Sequence, residues 1–116
     1  MIIGIQASRN FSDYSVFLRA MGTALYDLEG DQEFTILSAG PHKLNDMAFE
    51  FVNVSERSLK ARGIKAKVVK MPPVALKERL LDIDYFVYFS LPKETESSLV
   101  REAQDKDVEV GIYRYA

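Results

Sequence analysis

Apolar positions along this chain switch repeatedly between two periods, and the switching predicts alternating strands and helices. Ile2 to Gln6 is a short apolar strand. From Phe11 to Glu29 the period becomes helical. Val16, Phe17, Ala20, Ala24, Leu25 and Leu28 recur at three- and four-residue steps and share one face. Asn10 or Ser12 is suited to cap its start and Gly30 to end it. Glu33 to Ser38 reads as the second strand. A second helix follows from about Leu44 to Arg62, with Leu44, Met47, Ala48, Phe51, Val52, Ser55 and Leu59 inward and Gly63 closing it. Lys65 to Lys70 is a third strand with Ala66 and Val68 on one side. Met71-Pro72-Pro73 breaks the chain, because proline fixes φ and removes a donor. A short helix is expected over Val74 to Leu81.

Asp84 to Ser90 is nearly continuously apolar and aromatic, the pattern of a central parallel strand covered on both faces. Thr95 to Lys106 reads as the last helix, with Leu99, Val100 and Ala103 inward, and Val108 to Tyr115 as the last strand. Strand and helix thus alternate five times with short connections. That implies a mainly parallel five-stranded sheet with helices on both sides and right-handed crossovers. The carboxyl-end loops of such a sheet gather at one rim, where ligands bind. Three polar turns belong there, at Ser8, Gly40 and Ser90.

Composition narrows the function classes. The 116 residues suit one domain with one core. Hydrophobic residues at 47% and charged residues at 28% describe a folded chain, not a disordered one. A formal net charge of −2 disfavours a protein that lives on a nucleic-acid backbone. The basic stretch Lys60 to Lys67 reads as a solvated helix end and strand start. With no cysteine, disulfides and thiolate metal sites are excluded and a cytoplasmic setting is expected. Met1 to Ile5 is too short for a signal peptide, and no apolar run approaches a membrane span. No metal or cofactor is called for.

The segment Ser38-Ala39-Gly40-Pro41-His42-Lys43 joins a strand end to a helix start, where backbone N–H groups favour phosphate. Arg9, after the first strand, is placed to hold a phosphate through two parallel hydrogen bonds, or to pair with Asp13. Ser8 and Asn10 offer donors to a ligand, or caps to the helix. Asp46 and Asn45 suit a ribose hydroxyl or a base amine. Glu50, one turn past Asp46, completes a possible acid–base pair. His42 is the single histidine, the residue type suited to acid–base work, but it has no second histidine or nucleophile beside it in sequence. Ser90 and Thr95 bracket the last rim loop. Phe11 and Tyr14 flank the first turn, where one is suited to stack on a base or to pack beneath the loop. The other aromatics, Tyr85, Phe86, Tyr88, Phe89, Tyr113 and Tyr115, read as packing.

Three stretches together resemble the SLOG superfamily. They are Ala7-Ser8-Arg9-Asn10-Phe11, then Ser38-Ala39-Gly40 followed by Asp46-Met47-Ala48, then Asp84 with Lys93-Glu94-Thr95. That group is Rossmann-like and includes the lonely-guy phosphoribohydrolases and DprA- and YspA-like proteins; the YspA-like branch is nearest. The first motif is close. Ala39 and Pro41-His42 stand where the family carries more glycine, and Glu94 stands where it carries glycine before threonine. The resemblance implies a single Rossmann-like three-layer α/β domain over residues 1–116. It also implies a site for a nucleotide or nucleotide-derived ligand, with Ser8, Arg9, Asn10, Ser38, Ala39, Gly40, His42, Asn45, Ser90 and Thr95 around it. If a bond is broken, the expected chemistry is N-glycosidic hydrolysis or transfer, for which a carboxylate such as Asp46 or Glu50 is suited to stabilise positive charge on the ribose. The alternative expectation is a non-catalytic interaction or assembly module on the same fold. A homodimer is expected on either view, through the second helix or the Met71-Pro72-Pro73 region.

Overall fold

The computed structural model describes residues 1–26, 28 and 32–114. The expected helix stop at Gly30, the last predicted helical residue Glu29 and the strand end at Tyr115 lie outside the described residues. Five strands, β1 (Ile2–Ala7), β2 (Gln32–Ser38), β3 (Ile64–Lys70), β4 (Tyr85–Ser90) and β5 (Val110–Arg114), form one sheet in the order β3-β2-β1-β4-β5. Every pairing is parallel. The helices are α1 (Tyr14–Tyr26), α2 (His42–Ala61), α3 (Pro73–Glu78) and α4 (Ser98–Asp105), with a 3₁₀ turn at Leu80–Asp82. This is the Rossmann/flavodoxin-like arrangement. No helix among the described residues is long and apolar enough to cross a membrane.

Side-chain alternation along the strands divides the core into two layers. Ile3, Ile5, Val87 and Phe89 pack against α1 and α2, and every residue of the expected α1 stripe is buried there. Leu37, Phe86 and Tyr88 face α3, the 3₁₀ turn and α4, against Leu76, Leu80, Leu99, Val100 and Ala103. Gly4 lets that second layer close on β1: a Cβ placed there sits 3.1–3.2 Å from side-chain carbons of Ile83, Leu76 and Phe86.

Helix boundaries differ from the expected ones for identifiable reasons. Helix α1 starts at Tyr14, not Phe11, because Asp13 is the cap. Its carboxylate accepts from the Val16 N–H (3.2 Å) and the Ser15 hydroxyl (2.6 Å). Phe11 meanwhile is fully buried under the loop. Helix α2 starts two residues early, at His42. Helix α4 starts at Ser98, with Ser97 as the cap, accepting from the Leu99 N–H, so Thr95 stays in the loop. The stretch after Pro72-Pro73 splits into α3 and the 3₁₀ turn, with Pro73 at the first helical position.

The Asp13 cap carries a pH signature. The Ser15 hydroxyl, and then the Val16 N–H, hold its carboxyl below the ordinary carboxylate value. A depressed folded pKa gives stability that is present above the unfolded-state pKa and lost as pH falls through the folded one. Asp13→Ala is therefore expected to lower the midpoint of thermal unfolding at pH 7. The gap from the native protein should close as the pH is taken below the carboxylate range. Paired melts across that range check it, and a gap independent of pH contradicts the capping role.

Candidate functional site at the carboxyl rim

The loops after β1 and β2 lie side by side at the rim. The Ala39 N–H donates to the Ile5 carbonyl (2.9 Å) and the Ala7 N–H to the Gly40 carbonyl (3.1 Å). The sheet ladder thus continues into both turns. Gly40 has φ +86°, and a Cβ there meets nothing within 4 Å, so glycine serves the backbone conformation and not a close approach. The Gly40–Pro41 peptide is cis.

Two residues of the expected site satisfy each other. Ser38 is fully buried and its hydroxyl donates to Asn45 Oδ1, which ties the end of β2 to the first turn of α2. Pro41 precedes that helix and offers no side-chain cap. The Leu44 and Asn45 N–H groups reach its carbonyl (2.9 and 3.1 Å), while those of His42 and Lys43 precede the ladder. His42 is exposed, with Nε2 3.4 Å from Asp46 Oδ2. Glu50 is exposed one turn on. It lies near Tyr14, whose hydroxyl is pushed above its ordinary pKa by burial and then by the Glu50 charge. Asp46 and Glu50 therefore share the solvent side of α2, beside the rim.

Arg9 is exposed, and among the described residues it has no ion-pair partner. The alternative pairing with Asp13 does not form; that carboxylate serves the cap of α1. Phe11 stacks on Phe89 with ring centroids 4.8 Å apart, and Tyr14 stacks on Phe17 at 5.9 Å. Packing beneath the loop is thus what Phe11 does.

In this strand order, chain direction across the sheet reverses between β1 and β4, and the crevice at such a point is where open α/β sheets bind ligands. Here the two flanking loops are joined across it. The Ser8 N–H donates to the Phe89 carbonyl (2.7 Å), and Ser8 Oγ accepts from the Leu91 N–H (3.1 Å). Asn10 Nδ2 donates to Glu94 Oε1 (2.8 Å). Asn10 therefore does not cap α1; its amide ties the β1 loop to the loop after β4. Searched against known proteins, the chain matches no family model, no curated protein and no solved structure.

Behind that loop lies a groove of about 320 Å³ lined by Ser90, Leu91, Pro92, Lys93, Glu94, Glu96 and Arg114. Ser90 and Arg114 are register partners on β4 and β5. Glu96 Oε1 lies 3.6 Å from Arg114 Nη2. The second carboxylate oxygens of Glu94 and Glu96 are buried without a hydrogen-bond partner. Of these lining residues, only Ser90 was singled out as a site residue from the sequence. The charged run Lys93-Glu94-Thr95-Glu96 after the strongest strand was the available signal for the loop. Nothing in the sequence pairs Arg114 with Ser90. Among the described residues no group of three His, Asp or Glu side chains is placed to hold a metal ion.

Proposed function

We propose that the protein binds a nucleotide or nucleotide-derived ligand along the carboxyl rim, with phosphate between Arg9 and the amino end of α2. One observation carries this: the hydrogen bonds linking Ala7 to Gly40 and Ala39 to Ile5, which set the Arg9 loop beside the start of a 20-residue helix. The unpaired N–H groups and dipole of that helix favour an anion, and Arg9, His42 and Lys43 are exposed around it. The SLOG-like turn Ser8-Arg9-Asn10 supports the same ligand class. Cleavage of an N-glycosidic bond is the finer form of the proposal. It gives Asp46 or Glu50 the task of stabilising positive charge on a departing sugar.

The test is a thermal and chemical unfolding series with AMP, ADP, ATP, GMP and ADP-ribose. A ligand present at 100 times its Kd should raise stability by about 2.7 kcal/mol. A flat response across the whole panel would count decisively against nucleotide binding.

An assembly role is favoured by a different observation. On the α3/α4 side of the sheet, Lys65, Lys67 and Val69 of β3 are exposed beside a groove that also reaches Glu33, Thr35 and Arg79. If that face is the functional one, changes at Arg9 are silent.

A further inference from the structure

We propose that the outer edge of β3 receives, as an added strand, an extended segment of a partner protein in which acidic residues alternate with apolar ones. The inference goes beyond the nucleotide reading and stands on a part of the molecule that reading leaves unused. β3 ends the sheet order and pairs only with β2. It runs seven residues, Ile64–Lys70, with no proline or glycine to break the edge. The Met71 N–H donates to the Ser38 carbonyl (2.9 Å). By alternation back along the strand, Lys65, Lys67 and Val69 turn their N–H and C=O groups to β2, and Ala66, Val68 and Lys70 turn theirs outward. Among the described residues no backbone hydrogen bond reaches those outward groups from any other element.

Grooves flank that edge on both faces of the sheet. On the α2 side, one of about 310 Å³ lies between β3 and the residues Glu56, Leu59 and Lys60. On the other side, one of about 250 Å³ is lined by Lys65, Lys67, Glu33 and Thr35. Lys65 and Ala66 line both, so the edge of β3 is the ridge between them. Strand addition uses this layout: the ladder supplies affinity, and alternate side chains of the incoming strand fall into one groove or the other. The two grooves select different side chains. Toward α2, the half-buried Ala66 and Val68 offer apolar surface, and the charges of Glu56 and Lys60 offset. On the open side, α3 is only six residues long and leaves Lys65 and Lys67 exposed. Among the described residues neither lysine has an ion-pair partner, and Glu33 is the one carboxylate lining that groove. Two unpaired lysines favour acidic side chains spaced two apart, each standing opposite a lysine. The same lysines disfavour a second copy of this chain. Antiparallel pairing of β3 with itself puts Lys65 and Lys67 of both copies on one face, where like charges repel.

The experiment titrates the full chain with a short capped peptide of alternating Glu and Val, with its Lys/Val counterpart, and with the Glu/Val composition rearranged in blocks. Calorimetry should show binding of the alternating Glu/Val peptide alone. Amide exchange should then slow by about tenfold or more at Ala66, Val68 and Lys70, and stay unchanged at Lys65, Lys67 and Val69, whose N–H groups already face β2. Lys65→Gln combined with Lys67→Gln should weaken that binding by about two- to thirtyfold, the worth of two cross-strand charge pairs, with the unfolding midpoint and the response to AMP unaltered. Methylating the backbone nitrogens of one alternate set in the peptide, valines or glutamates, should abolish binding with every side chain still in place. Binding that tolerates methylation of either set, or that leaves the Ala66, Val68 and Lys70 amides unprotected, overturns strand addition. No binding of the Glu/Val peptide, or equal binding of the Lys/Val or block peptide, overturns the acidic alternating occupant. A dimer of the chain alone with those three amides protected makes a second copy the occupant and overturns it too. So does tighter binding of oligothymidylate at the two lysines, which would make them phosphate contacts. None of these outcomes touches the nucleotide site at the rim, whose own failure is read from the nucleotide panel.

Discussion

Phe89→Ala is expected to lower the free energy of unfolding by about 3–5 kcal/mol, the range for removing a fully buried aromatic from a close-packed core. Phe89 is entirely buried near the end of β4. Its ring stacks on Phe11 at 4.8 Å and meets Phe17 at 5.8 Å and Tyr113 at 5.7 Å. Each such aromatic pair adds about 0.5–1.5 kcal/mol beyond the area it buries. Truncation removes all three at once and leaves a cavity that rings anchored on three different elements cannot readily fill. Urea unfolding followed by circular dichroism should show a lower midpoint with an unchanged slope, since the surface exposed on unfolding is the same. The loss should also reach the rim, because Phe11 is the floor of the β1 loop and the Phe89 carbonyl accepts from the Ser8 N–H. Faster amide exchange at Ser8 and Phe11 is the local sign. A loss below about 1 kcal/mol would mean that the aromatic cluster is not the keystone of this layer.

The fold was legible because its signals are periodic and redundant. The α1 stripe from Val16 to Leu28 and the apolar run of β4 each state their burial several times over. The starts of helices were not legible, because the chain offers rival caps. Asn10, Ser12 and Asp13 all suit the start of α1, and only geometry decides for Asp13. Thr95 and Ser97 compete in the same way before α4. The gathering of the polar turns at one rim was legible, while the partners of their side chains within the fold were not. Ser38 and Asn45 carry ligand-type side chains, yet they answer each other. Asn10 looks like a cap and instead holds Glu94, 84 residues away. Glu94 itself reads as a lost glycine until the loop is folded. Arg114 faces Ser90 through strand register, which depends on how β4 and β5 slide against each other and not on either strand's own pattern.

Arg9→Ala should weaken the binding of AMP or ADP by about 10- to 100-fold, equivalent to about 1.5–3 kcal/mol for a lost charge-assisted hydrogen bond. The argument begins with what Arg9 does not do. It is exposed, and among the described residues it pairs with no carboxylate. Asp13, the obvious candidate, is committed to the Ser15 hydroxyl and the Val16 N–H. Removing the guanidinium therefore breaks no ion pair, and stability should stay within about 0.5 kcal/mol of the native protein. Any fall in affinity then belongs to the ligand. Arg9→Lys keeps the charge but loses the planar fork, so it should recover only part of the affinity. The salt dependence separates this from a general charge effect: the native protein should lose more affinity than Arg9→Ala when ionic strength rises, because the variant has one fewer phosphate contact to screen. Calorimetric titration of the three proteins at two salt concentrations measures all of this together. Identical affinities for native and Arg9→Ala would remove the phosphate from the β1 loop and shift the weight of evidence to the open face of β3.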